Sequence, residues 1–225
     1  MMFDGIKAVG FDLDGTFLNT HVDYSKIDSV DKDVCARHGV PFGELEFTTV
    51  KRLRYPIRDW LVSHGRGDEF PEMEKEMNRA LTSIELEFID EARPFPGSLE
   101  CVTKLKSMGL KVGLLTRGSY EYGNRALSMF GVRDSFDAVV GRDYASYDDA
   151  KPSPKAMGYF AEELGVKPPE ILYLGDNRTD YYSARDAGAP FVGVLSGYMS
   201  RDDWHREDPD MVLVDYAGDI IKLFS

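Results

Sequence analysis

Apolar residues fall along this chain in two rhythms. A run at 6–11, interrupted by Lys7 and Gly10, predicts a short buried strand. It ends in Asp12-Leu13-Asp14-Gly15-Thr16. Residues two apart in an extended chain share a side, so Asp12 and Asp14 leave the strand end together, and Gly15 permits a sharp turn behind them. From there to residue 92 the spacing is helical. Residues 24–38 place Ile27, Val30 and Val34 on one face and stop at Gly39, with Pro41 beyond. Residues 48–64 repeat the pattern with Val50, Leu53, Ile57, Trp60 and Leu61, and Pro56 is expected to kink or divide that helix. After a turn at 65–68, residues 69–92 predict the longest helix, with Met73, Met77, Leu81, Ile84 and Phe88 as its core stripe.

Pro94-Phe95-Pro96-Gly97 marks a change of character. Beyond it, helix and strand alternate. Helices are predicted at 98–108, 120–130, 153–164, 179–187 and 216–224, and strands at 111–115, 136–140, 171–174, 191–195 and 211–214. Such alternation predicts parallel strands joined by right-handed crossovers. The expected fold is therefore α/β, a Rossmann-like three-layer core with a parallel sheet, formed by 1–18 and 93–225, plus an inserted all-helical cap domain at 19–92.

Composition narrows the partners. The 225 residues carry a net charge of −12, which argues against a nucleic-acid or anionic-membrane partner, since both want a basic face. An anionic small substrate is not excluded, because one local cation can override the global field. Cys35 and Cys101 stand far apart in no metal or redox pattern, and they read as buried free thiols in a reducing cytoplasm. The first residues lack a basic stretch followed by an apolar core, so no signal peptide is expected, and no apolar run is long enough to span a membrane.

Open α/β sheets bind ligands at the carboxyl ends of their strands, and polar residues gather there. The first strand delivers Asp12 and Asp14. The second delivers Thr116, followed by amides and Gly118, suited to an anion at a helix N-terminus. Lys151 lies between Ala150 and Pro152 just before a helix, and Gly175-Asp176 and Asp180 follow the fourth strand. Singly, Thr116 and Asp180 also read as helix caps, Lys151 as a loop lysine and Asp176 as a turn. Together they set four carboxylates against one ammonium, a self-repelling group without a hard cation such as Mg²⁺. A calcium loop opening at Asp12 fails, because the glycine it needs at its sixth position is Phe17.

Asp12-Leu13-Asp14-Gly15-Thr16, Leu115-Thr116, Lys151-Pro152 and Gly175-Asp176 with Asp180, in that order, resemble the four motifs of the haloacid dehalogenase superfamily, and the helical segment resembles its type-one cap. The resemblance covers nearly the whole chain and implies a phosphomonoester hydrolase laid out like the phosphoglycolate phosphatases. It implies Asp12 as nucleophile, forming an aspartyl-phosphate, and Asp14 as the acid that protonates the leaving oxygen and then activates water. It also implies that Mg²⁺ is held by the carboxylates of Asp12 and Asp176 and the carbonyl of Asp14, with Asp180 supporting that shell. Thr116 and the Arg117 amide would bind phosphoryl oxygens, and Lys151 would link Asp12 to the phosphate.

Within the superfamily, Asp14 argues against a dehalogenase, and the form of the first motif argues against phosphonate cleavage, despite Lys26, Lys32 and Lys51 in the cap. Sugar phosphomutases share the core motifs but carry a histidine where this chain has Tyr24, and His21 is at the wrong offset. A mutase, or a non-catalytic binding protein of the same fold, stays open as an alternative. The expected substrate is a small phosphorylated metabolite, phosphoglycolate-like or a sugar phosphate. Arg52, Arg54, Arg58 and Arg66 are placed to meet an anionic leaving group or simply to solvate helices, residues 17–21 read as the hinge, and Trp60 or Phe70 offers a dimer face, monomer and homodimer both remaining open.

Overall fold

The computed structural model of the chain describes residues 5–46 and 54–224. Its core is one six-stranded sheet, all parallel, built on β1 (Ala8–Phe11). The chain leaves β1 through a two-residue strand, β2 (Leu18–Asn19), and passes through α1 (Tyr24–Arg37), α2 (Tyr55–Ser63) and α3 (Phe70–Glu87). It returns by β3 (Arg93–Pro94), which pairs antiparallel with β2. Then follow α4 (Ser98–Ser107), β4 (Lys111–Leu115), α5 (Tyr120–Met129), β5 (Ala138–Val140), α6 (Pro154–Leu164), β6 (Ile171–Gly175), α7 (Arg178–Ala187), β7 (Phe191–Val194), α8 (Arg201–Glu207) and β8 (Leu213–Val214). The strand order is β5-β4-β1-β6-β7-β8. The chain runs outward from β1 on one side, crosses back, and runs outward on the other, so the switch in strand order falls at the end of β1, where ligand clefts of such sheets form.

Strand alternation sorts the core into two faces. Val9, Phe11, Val112, Leu114, Leu172 and Leu174 pack on one face with α4 and α5. Ala8, Leu115, Ile171 and Tyr173 pack on the other with α6 and α7. Gly10 and Gly113 sit side by side in register, and a Cβ on either would meet the Phe160 ring at 2.5 Å. The glycine that interrupts the first apolar run is thus a slot that lets α6 seat its phenylalanine against the sheet.

The helical insert has a separate apolar cluster of Val30, Val34, Ile57, Leu61, Met73, Met77 and Leu81, joined by Tyr147 from the loop before α6. Asp23 caps α1 through the amides of Ser25 and Lys26, and α1 ends beside Gly39 at φ +64°. In α2, Pro56 lies in the first turn, where a missing N–H costs nothing, so it opens the described helix rather than kinking it. The expected start of that helix, 48–53, lies outside the described residues, as do Arg52 and Lys51. The long helix stops at Glu87, and only a short 3₁₀ turn, Ile89–Glu91, follows.

Three sequence expectations differ. The final segment, Ala217–Phe224, is a 3₁₀ helix, not an α-helix. Gly97 and Gly218 touch backbone to backbone, which pins its start. Helix α8 was not expected, although Ser200 and Asp203 form a capping box that marks it. Trp60 and Phe70 are not fully exposed but partly buried against the insert's own core, with Trp60 also stacked on His64 at 3.9 Å.

Candidate active site

The polar residues singled out at strand ends converge beyond the carboxyl ends of β1, β4 and β6. Asp12 continues the ladder from β1, its N–H donating to the Leu174 carbonyl at 2.9 Å. Lys151, only 1% exposed, donates to Asp12 Oδ1 at 2.6 Å, to Tyr173 Oη at 2.8 Å and to Asp180 Oδ1. The Leu115 carbonyl lies 2.8 Å from the same ammonium, so its three protons are shared among four oxygens. Burial pulls the ammonium down, but the Asp12 and Asp180 carboxylates outweigh it and hold Lys151 above the ordinary lysine value. Tyr173 in turn donates to the Leu115 carbonyl at 2.7 Å, which fixes its hydroxyl as an acceptor toward Lys151.

The carboxylates are crowded. Ligand atoms of Asp12, Asp176 and Asp180 lie within 4.8 Å of one another. Burial raises Asp12 well above the carboxylate range despite Lys151, and burial with the Asp180 charge pushes Asp176 up to about 7. Several buried oxygen donors that resist ionising side by side are the donor set of a hard divalent cation. The packing around Asp176 fixes its carboxylate. Its Oδ1 accepts from Thr16 Oγ1 at 3.2 Å, its Oδ2 from the Tyr198 N–H at 2.6 Å, and a Cβ on Gly197 would sit 2.0 Å from Oδ2. Asp180 uses Oδ2 to accept the Asn177 N–H, closing the capping box of α7.

Asp14 stands apart from that cluster. Both Thr20 Oγ1 and Tyr122 Oη donate to its Oδ1 at 2.6 Å, leaving the second oxygen for chemistry. Burial raises its carboxyl, and the two donors oppose the rise. Thr116 puts its N–H into the sheet ladder with Val140 and accepts the Gly118 N–H on Oγ1 at 2.9 Å, so its own hydroxyl proton remains to be given. The Arg117 side chain turns away from solvent. It donates to the Lys151 carbonyl and lies over the Tyr147 ring, 5.2 Å from its centroid, and burial lowers its guanidinium.

The described arginines among these candidates, Arg54, Arg58 and Arg66, are engaged. Arg54 is fully buried, paired with Asp31 at 3.1 Å, stacked over Tyr147 at 3.8 Å, and its N–H donates to Asp148 Oδ1. Arg58 pairs with its neighbour Asp59, and Arg66 with Glu69. Lys26 pairs with Glu87 at the surface.

Sequence reading missed Tyr122, Thr20, Tyr173, Glu85 and Arg142. Tyr122 carries no local signal, because its spacing with Ala126 in α5 reads as core. Glu85 did carry one: it continues the step of four from Met73 through Met77 and Leu81, a charge on an apolar stripe.

Comparison with known proteins agrees with this geometry. A family model described as haloacid dehalogenase-like hydrolase matches residues 6–188. An N-acetylmuramic acid 6-phosphate phosphatase of Pseudomonas aeruginosa is 26% identical over 98% of this chain and 95% of its own. A phosphoglycolate phosphatase of Neisseria gonorrhoeae is 29% identical over 90% and 88%. A crystal structure of a predicted phosphoglycolate phosphatase from Haemophilus somnus covers 98% of this chain and 99% of its own, with a TM-score of 0.64 at 22% identity. The chain belongs to the haloacid dehalogenase-like hydrolases, an enzyme family in which the two curated relatives above are phosphatases. Among the described residues no helix is long and apolar enough to cross a membrane.

Proposed function

We propose that this protein is a Mg²⁺-dependent phosphomonoester hydrolase that acts on a small phosphorylated metabolite, phosphoglycolate-like or a sugar phosphate, through an aspartyl-phosphate on Asp12. The observation that carries the reading is the division of labour between the two aspartates of the first motif. Asp12 is bound to Lys151 within a crowded carboxylate cluster, whereas Asp14 is set apart with one oxygen held by Thr20 and Tyr122. Two carboxylates in different environments suit two different jobs.

Asp12, with Asp176 and the backbone of Asp14, would hold the cation, and Asp180 would support them. When bound, Mg²⁺ supplies positive charge against the phosphoryl oxygens and lets the crowded carboxylates ionise together. Thr116 Oγ1 and the Arg117 amide hold phosphoryl oxygens, and Lys151 screens the charge between Asp12 and the phosphate. An Asp12 oxygen attacks phosphorus as the ester oxygen leaves with a proton from Asp14. Asp14, now ionised, takes a proton from water, which hydrolyses the aspartyl-phosphate. The helices 24–87 act as the cap over this site, hinged where β2 pairs with β3. Cys35 and Cys101 are buried and free, in keeping with a reducing cytoplasm.

The test is phosphate release from a panel of phosphoglycolate, sugar phosphates and nucleotides, with Mg²⁺ and with EDTA, for wild type and Asp12→Asn. Metal-dependent release that disappears in the variant is expected. A folded wild type that releases phosphate from no ester overturns the reading.

A further inference from the structure

We infer that Glu85 and Arg142 are positioning residues that couple closure of the helical cap to the shape of the phosphate-binding loop at 116–119. This deepens the proposed function and rests on it for the role of that loop.

Glu85 lies in the last turns of α3 and is 5% exposed; Arg142 follows β5 and is 2% exposed. Each belongs to a different layer, and they pair across the seam through Arg142 Nη1 and Glu85 Oε1. Among the described residues, the remaining hydrogen bonds of the pair go to two places. On the cap side, Arg142 Nη2 donates to Thr82 Oγ1 at 3.0 Å and to the Asn78 carbonyl at 3.3 Å. Residues 78, 82 and 85 share one face of α3, so a single guanidinium grips that face. On the core side the hydrogen bonds among the described residues fall on the loop. Arg142 Nη1 donates to the Arg117 carbonyl at 3.2 Å, the Arg142 N–H to the Gly118 carbonyl at 3.0 Å, and the Ser119 N–H to Glu85 Oε2 at 3.1 Å. Three successive residues after Thr116 are therefore held by this pair. Ser119 is also the N-cap of α5, the helix that carries Tyr122 to Asp14.

A merely structural anchor would not need this address. Arg54 already joins the layers through Tyr147 and Asp148, and among the described residues its side-chain hydrogen bonds go to Asp31 and Asn78 rather than to the loop. The chemistry also suits a seam that opens. Ions leaving a buried pair are repaid by water, so separation costs much less than exposing an apolar seam of equal area. Arg142 Nε, buried without a hydrogen-bond partner among the described residues, further limits how firmly the closed state is held. When the cap lifts, Ser119 loses its acceptor and Arg142 loses the carboxylate that orients it. The loop then relaxes, and phosphate is gripped fully only beneath a closed cap.

The test uses Glu85→Gln, which keeps the shape but not the charge, Arg142→Lys, which keeps the charge but not the fork, and the double variant. Steady-state kinetics on the best ester and inhibition by inorganic phosphate are measured for each. Each single variant is expected to lose about tenfold or more in kcat/KM and to weaken phosphate by a similar factor, with the double no worse than the poorer single. Variants that melt earlier but keep kcat/KM and phosphate inhibition within about twofold, or losses that add, overturn the inference. Hydrogen exchange of the free proteins needs no turnover and separates this failure from that of the hydrolase reading. In Glu85→Gln the amides of 118–119 and of α3 are expected to exchange faster together while β1 and β4 do not change. Acceleration in α3 alone overturns the coupling, whether or not any ester is cleaved.

Discussion

Removing one hydroxyl should separate the two halves of the chemistry. In Tyr122→Phe the ring stays in place among Leu127, Ala126 and Phe136, and the hydroxyl goes with its 2.6 Å hydrogen bond to Asp14 Oδ1 and its hydrogen bond with Thr20. Thr20 still donates to the same oxygen, so Asp14 is not left without a donor. A hydrogen bond to a charged acceptor contributes about 1.5–3 kcal/mol, and the shared oxygen argues for the lower end, about tenfold in rate. In the proposed mechanism that loss falls on the step that uses Asp14 as an acid. An alkyl phosphate needs a proton delivered to its leaving oxygen, whereas p-nitrophenyl phosphate departs as a stable anion. The parameter to compare is kcat/KM, because it ends at formation of the aspartyl-phosphate and excludes the hydrolysis step common to both esters. We expect kcat/KM to fall about tenfold for the alkyl ester and by less than about twofold for the aryl ester. Equal losses on both, or none on either, would refute the assignment of Tyr122 to the orientation of Asp14.

Two further outcomes test the proposed metal site. Gly197→Ala places a methyl 2.0 Å from Asp176 Oδ2 and 2.4 Å from its Cγ, so it should abolish the Mg²⁺-induced rise in melting temperature and reduce activity by about 100-fold or more, with the circular dichroism unchanged; normal Mg²⁺ stabilisation would count against it. The second concerns pH. Asp176 is raised in the folded protein to about 7 from an ordinary 3.8, and Asp12 and Asp14 are raised as well. A raised folded-state value means stability that is fully present below about 4 and is lost as pH climbs through about 7. The metal-free protein should therefore lose melting temperature between those limits. Mg²⁺, which prefers the ionised carboxylates, should stabilise it far more at pH 8 than at pH 5.5. Calorimetry with and without Mg²⁺ decides this, and an equal increment at both values would show that these carboxylates do not hold the ion.

Much of the fold was legible in the chain because local periodicity and turn chemistry report it directly. Strand ends, helix caps at Gly39, Gly165 and Gly188, and the order of alternation were all readable. The misreadings have local causes too. The 3₁₀ segment at 217–224 has helical apolar spacing, which does not distinguish one helix type from another, and α8 is short and polar, with little apolar rhythm to read. Arg54 shows the limit most plainly. By sequence it is one of four candidate arginines for an anionic leaving group. In the fold it is fully buried, because Asp31 and Tyr147 come to it from elsewhere in the chain.

The sequence by itself determined the family, the sheet and the polar groups at its strand ends, because each of these is written in a few consecutive residues with steric or electrostatic demands of their own. Tertiary structure alone decided how those groups are held. Tyr122 meets Asp14 across 108 residues, Glu85 meets Arg142 across 57, and Lys151 meets Asp12 across 139. A hydrogen bond needs its partners within about 3 Å, and for residues so far apart only the packing of helices onto the sheet brings them that close.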